Sequence, residues 1–219
     1  MENIVVDFPL RGEWIYLRSF GHHPHAYDFV KIGNNRKYYS NGNLLSYIFG
    51  RVPANIFYCW SAPVYSPVAG VVIKANDGWP DNKVVNLAST IILWIKATFL
   101  FRPAKDGPDL DIRPNAGNYI MIQSESGFIA FMAHMRSGSI KVKTGQQVAE
   151  GQAVGEVGNS GNTTMPHLHF NLFDQINDPY QAKVIPFVFR SFERRNGNNW
   201  ESVQNNTPKI KGEAIRKQL

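Results

Sequence analysis

The sequence predicts a mostly β fold, a compact antiparallel barrel or sandwich with one helical insertion. Three segments carry that expectation. Residues 63–74 (PVYSPVAGVVIK) alternate β-branched and small residues around Pro67 and Gly70, as strands with tight corners do. Residues 117–133 (GNYIMIQSESGFIAFMA) read as two apolar strands joined by a Ser-Glu-Ser-Gly turn. Residues 138–158 (GSIKVKTGQQVAEGQAVGEVG) carry a glycine every few positions, a rhythm suited to short strands and sharp turns.

The other elements follow in chain order. Met1–Leu10 holds two acids and a proline, with no basic region followed by an apolar run, so it is not expected to be a signal peptide. Asn43–Gly50 reads as helix. An insertion spans about residues 80–115, and within it Val84–Phe101 is rich in Ile, Leu, Val, Trp and Phe but includes Asn86, Ser89, Thr90, Lys96 and Thr98. A lysine in so short a run opposes a spanning helix. An amphipathic helix packed on the domain is expected, with a surface-seeking membrane helix as the alternative. Asp106–Asn115, heavy in Pro and Asp, reads as the returning loop. Beyond Asn171 come a turn at Asp178–Pro179, the segment Val184–Phe192 and a polar stretch from Asn196. The expected division is one domain over residues 1–195 and a polar tail over 196–219, which wraps the domain or frays.

The chain has 219 residues, 43% of them hydrophobic and 18% charged, a globular composition with a sizeable core. One cysteine, Cys59, excludes an internal disulfide. It is expected as a small buried hydrophobe between Tyr58 and Trp60. The formal net charge of +6 favours polyanionic partners such as nucleic acid, anionic lipid or acidic wall polymers. The positive charges are dispersed, however, and the one dense stretch, Lys209–Lys217, reads as solvated tail. No nucleic-acid partner is expected.

The chemistry concentrates in the histidines. There are six, His22, His23, His25, His134, His167 and His169. Three lie just before Asp28, one ends the strand Phe128–Ala133, and two form an H-x-H within NSGNTTMPHLHF (159–170). Side chains two apart in a strand share a face. A bare H-x-H is more often a pair of ordinary hydrogen-bonded histidines. Histidines and an aspartate arriving from separate strands suit a zinc site of nitrogen and oxygen ligands with an open water position.

The run AHMRSGSIKVKTGQQVAEGQAVGEVGNSGNTTMPHLHF closely resembles the LytM/lysostaphin zinc endopeptidases. In that family a histidine closes one strand, a glycine-punctuated segment follows, and an H-x-H completes the site. SAPVYSPVAGVV is similar to the strand after the first ligands, and GNYIMIQSESGFIAFMAH to the central hairpin. The resemblance covers about Gly21–Asp174, except the insertion.

The resemblance implies His169 and Asp28 as ligands of one zinc ion per chain, and His134 and His167 as non-ligand catalytic histidines facing the bound water and the scissile carbonyl. The family spaces its first ligand as H-x-x-x-D, but the residue four before Asp28 is Pro24. His23 and His22, five and six before Asp28, are the remaining candidates, with His23 preferred. His25 is expected to be an ordinary side chain. The implied activity is zinc-dependent hydrolysis of peptide bonds in peptidoglycan stems or bridges, with an extracytoplasmic or wall location. Two rivals are an inactive scaffold of the same fold that binds wall or regulates another hydrolase, and a phosphocarrier domain of the sugar-permease kind, which NSGNTTMPHLHF fits poorly.

Overall fold

A computed structural model describes residues 3–17, 23–33, 37–41, 44–95, 111–175 and 182–218. Strands β1 (Val5–Val6), β2 (Gly12–Leu17) and β3 (Tyr27–Val30) come first. Helix α1 (Leu44–Ile48), β4 (Val52–Pro53), β5 (Pro63–Tyr65) and β6 (Gly70–Asn76) follow. Next are β7 (Val84–Val85) and helix α2 (Leu87–Ile95). A single turn, α3 (Arg113–Ala116), then precedes β8 (Asn118–Ser124) and β9 (Ile129–Met135). The chain continues through β10 (Gln147–Val148), β11 (Ala153–Glu156) and β12 (Leu168–Phe173). It closes with β13 (Val184–Ile185), β14 (Val188–Asn196), β15 (Asn199–Asn206) and β16 (Ala214–Lys217).

The main sheet runs in the order β1-β14-β16-β2-β3-β12-β9-β8-β6-β10, with β13 paired to β12 and β15 to β14. Its ends do not meet, so of the two expected architectures the sandwich-like one holds and the closed barrel does not. The β5–β11 pair forms a second small layer. Val64 of β5 and Val154 of β11 share one apolar core with Ile120 and Ile122 of β8 and Ala130 and Met132 of β9. The intervening residues Tyr119, Met121, Phe131 and Ala133 pack in a separate cluster on the opposite face. This is the period-two alternation of a strand pair buried on both sides, and it explains why the hairpin reads so plainly in sequence.

Several expectations change. Strand β7 and helix α2 occupy residues 84–95 of the expected helix, and the remainder of 84–101 lies outside the described residues. Tyr47 of α1 donates its hydroxyl to Thr90 of α2 at 3.1 Å, which seats the two helices together. No described helix is long and apolar enough to cross a membrane. The expected loop 106–115 is helical at Arg113–Ala116, where Pro114 fits the first turn; residues 106–110 lie outside the described set.

The polar stretch expected as a tail supplies β15 and β16. β15 pairs with β14 from Asn199 to Asn206, and β16 pairs with both β14 and β2. Ile215 is fully buried, and Arg216 is bonded to Glu193 at 2.6 Å. Lys217 pairs with Asp7, a buried carboxylate also held by Arg11 at 3.1 Å. The end of the basic run, Ala214–Lys217, is therefore part of the sheet, while Lys209 and Lys211 are exposed before it.

Candidate active site

Asp28 on β3 and His169 on β12 are register partners in an antiparallel pair, so their side chains leave the same face side by side. Nδ1 of His169 lies 2.9 Å from Oδ1 of Asp28, whose side chain is 2% exposed. His167, immediately before β12, shares that face, with Nε2 3.6 Å from the same oxygen. The H-x-H pattern thus does what strand periodicity predicts.

His134 reaches the group by a different route. Ala133, its neighbour on β9, is the register partner of His169, so regular pleating would turn His134 to the other face. Its φ of +61° lies in the left-handed region, uncommon for a side-chain-bearing residue. That turn brings its ring centroid to 4.7 Å from His167 and 6.0 Å from His169.

His134 and His167 are held alike. Nδ1–H of His134 donates to the Ser160 carbonyl at 2.8 Å. Nδ1–H of His167 donates to the Met165 carbonyl at 2.8 Å, with the Thr163 hydroxyl 3.0 Å away. A carbonyl only accepts, so each contact fixes the proton on Nδ1 and makes Nε2 the lone-pair nitrogen of the neutral ring. For His167 that nitrogen faces Asp28. Burial, and then the neighbouring His167 and His169, hold the proton affinity of His134 well below the usual histidine value, so it is neutral at pH 7.

Ser160 and Asn118 support this arrangement, and neither stood out in the sequence. The Ser160 hydroxyl donates to the Met135 carbonyl at 2.7 Å and accepts from the Asn118 amide at 2.9 Å. The Asn118 side chain also donates to Met135 O at 3.0 Å. Gly117 and Gly161 let these backbones approach. A Cβ on Gly117 would meet the Ser160 backbone, and one on Gly161 would meet Gly117. Both glycines have positive φ.

Zinc ligands at about 2.0–2.1 Å in tetrahedral array stand roughly 3.3 Å from one another. Asp28 and His169, 2.9 Å apart, fit a shared ion. Among the described residues no group of three or more His, Cys, Asp or Glu forms a metal-holding cluster. His23 is exposed, and its Nδ1 accepts the His25 backbone N–H at 3.2 Å. The His23 and His25 rings lie 5.5 Å apart. His22 lies outside the described residues. Cys59, 1% exposed, donates its thiol to the Pro166 carbonyl at 3.1 Å. Burial raises its pKa to about 12, which leaves no thiolate for nucleophilic work.

The sequence profile of Peptidase family M23 matches residues 105–181. The chain is 30% identical over 156 residues to the peptidoglycan DD-endopeptidase ShyB of Vibrio cholerae, covering 68% of this chain and 33% of that protein. It is 44% identical over 59 residues to ShyA, another peptidoglycan DD-endopeptidase of Vibrio cholerae, covering 27% of this chain and 13% of that protein. The chain therefore spans a third or less of these curated relatives. Among solved structures, lysostaphin from Staphylococcus simulans aligns at 17% identity and a TM-score of 0.42, over 78% of this chain and 47% of that one. The sequence matches alone carry the assignment: over residues 105–181 the chain belongs to Peptidase family M23.

Proposed function

We propose that this protein is a zinc-dependent endopeptidase that hydrolyses peptide bonds in peptidoglycan stems or bridges. The carrying observation is the convergence of Asp28, His134, His167 and His169 from β3, β9 and the start of β12. Family membership and the peptidoglycan endopeptidases among the relatives support the substrate class.

Asp28 and His169 hold the metal, with a third ligand from the His22–His23 pair. When bound, zinc supplies a Lewis acid that polarises the scissile carbonyl and lowers the pKa of bound water. One of His134 and His167 accepts the proton of the attacking water at Nε2 and later passes it to the leaving amine. The other would stabilise the developing oxyanion by donating from Nε2 a proton it has taken up from solvent. Fixing both rings through Nδ1 keeps Nε2 available for these transfers without reorientation.

A second reading has a specific observation behind it. Pro24 occupies the fourth position before Asp28, and the recorded bond of His23 is local. Without its first ligand the chain would be an inactive scaffold that binds wall or regulates another hydrolase. Elemental zinc analysis, with release of peptides from purified peptidoglycan before and after chelation, tests both. Stoichiometric zinc and chelator-sensitive cleavage support the peptidase. A zinc-free chain that binds peptidoglycan without cutting it supports the scaffold.

A further inference from the structure

Asn171 stands two residues beyond His169 on β12 and shares its face. It is 2% exposed and is the register partner of Phe131. Phe131 packs against Phe173 at 5.5 Å and against His169 at 6.0 Å between ring centroids. Its Oδ1 lies 3.1 Å from Nε2 of His169. Its Nδ2, also buried, has no hydrogen-bond partner among the described residues.

We propose that Asn171 is the positioning residue that sets the tautomer of His169 and thereby the zinc affinity of the site. An amide oxygen only accepts, so contact with Oδ1 holds a proton on Nε2 of His169, and by the same rule the Asp28 carboxylate holds one on Nδ1 while no metal is bound. With Nε2–H kept, a metal would displace the proton on Nδ1, which faces Asp28 at 2.9 Å, and take that lone pair. A carboxylate at position 171 would permit this form alone. An amide can turn over, and Nδ2 would then donate to Nε2 while Nδ1–H donates to Asp28. The ring thus has a fully bonded alternative without metal, and each zinc that binds must displace it. Asn171 makes the site a weaker and more exchangeable zinc holder than an acceptor-only side chain would. The orphaned Nδ2 agrees with a group required for its oxygen in one state and its nitrogen in the other.

This inference rests on the proposed zinc site, and its test separates the two. The full chain is prepared metal-free as wild type, Asn171→Leu and Asn171→Asp, and zinc affinity is measured by competition with a chromogenic chelator. Nitrogen-15 shifts of the labelled histidines report the His169 tautomer before and after loading. Asn171→Leu removes both the acceptor and the donor, and its metal-free thermal unfolding is measured first to establish that it folds. Its zinc dissociation constant rises about tenfold to a hundredfold, the usual effect of losing such an outer partner. Asn171→Asp binds zinc more tightly than wild type and holds the Nε2–H form even without metal. If Asn171→Leu does not fold, the Asp variant carries the test. Wild-type binding with unchanged affinity in the folded variants overturns this inference alone. A wild-type chain that takes up no zinc overturns the proposed function and this inference with it.

Discussion

Oδ1 of Asp28 and Nδ1 of His169 face each other across the β3–β12 pair at 2.9 Å, although the residues are 141 positions apart in the chain. Direct register opposition fixes this geometry through backbone hydrogen bonds, so it does not depend on long side chains finding one another. Asp28→Ala and His169→Ala are expected to lose both zinc and hydrolysis. Inductively coupled plasma analysis after gel filtration reads the first and peptidoglycan peptide release the second. Full zinc retention by both variants would contradict their assignment as ligands.

His134 and His167 stand beside Asp28 and His169. Their Nδ1 protons are committed to carbonyls of Ser160 and Met165, which leaves Nε2 for chemistry. Alanine at either position is expected to keep stoichiometric zinc and lose turnover by about a hundredfold or more, the scale of a lost acid–base group. Near-normal cleavage by one of them removes that residue from the mechanism.

The shared face of the H-x-H and the hairpin were legible because each follows a simple rule of side-chain alternation, whereas Asp28 entered through the family resemblance. The supporting shell was less so. Ser160 acts on His134 through its backbone carbonyl, which no residue type announces. Asn171 was open to the same alternation that pairs His167 with His169, one step further along the strand. At the C-terminus, β15 reads NWESVQNN and is mostly exposed. A strand paired along one side and washed by solvent has no apolar period to detect. Lys209–Lys217 looked like a solvated tail because its charge partners, Glu193 and Asp7, are distant in sequence.

Gly117 tests how tightly that shell must fit. Alanine there would take a φ of +63° and press its Cβ into the Ser160 backbone. Left-handed backbone alone costs about 1–2 kcal/mol for a side-chain-bearing residue. Gly127, with φ +91° and open space around it, should show only that strain. Urea unfolding of Gly117→Ala is expected to show a larger loss than Gly127→Ala. Turnover should fall in Gly117→Ala alone, because the displaced Ser160 carbonyl no longer holds His134. Equal losses of stability and activity in the two variants would count against the close approach at Ser160.

His134 also predicts a pH dependence for the metal-free protein. Its folded pKa lies below the unfolded value, which is about 6.5. Between the two, the unfolded chain binds more protons, so stability rises with pH in that window. The contribution is intact above about pH 6.5 and is lost as pH falls toward the folded pKa. Urea unfolding in chelator from pH 8 to pH 5 should show stability falling below about pH 6.5. His134→Asn should flatten that decline, and an identical profile in the variant would assign it to other groups.

The third ligand is the remaining question at the proposed metal site, and of the pair that the sequence left open the structure describes His23 alone. His23 was preferred because a turn at Pro24 can absorb one extra residue before Asp28. The turn forms there, with the Ala26 N–H donating to the His23 carbonyl at 2.9 Å. The His23 ring is exposed, however, and Nδ1 accepts the His25 N–H. That bond selects its Nε2–H tautomer, which offers no unoccupied lone pair to a metal. Recruiting His23 through Nδ1 would mean breaking that bond, and His22 lies outside the described residues. Burial and the nearby His23 lower the proton affinity of His25, but the ring's recorded partner is His23, not Asp28. We expect zinc to be lost in His23→Ala or His22→Ala, and His25→Ala to retain it with at most a modest change in affinity. Loss only in His25→Ala would overturn the choice of that pair. Retention in all three would leave Asp28 and His169 without an imidazole third donor from this segment, and would favour the inactive scaffold.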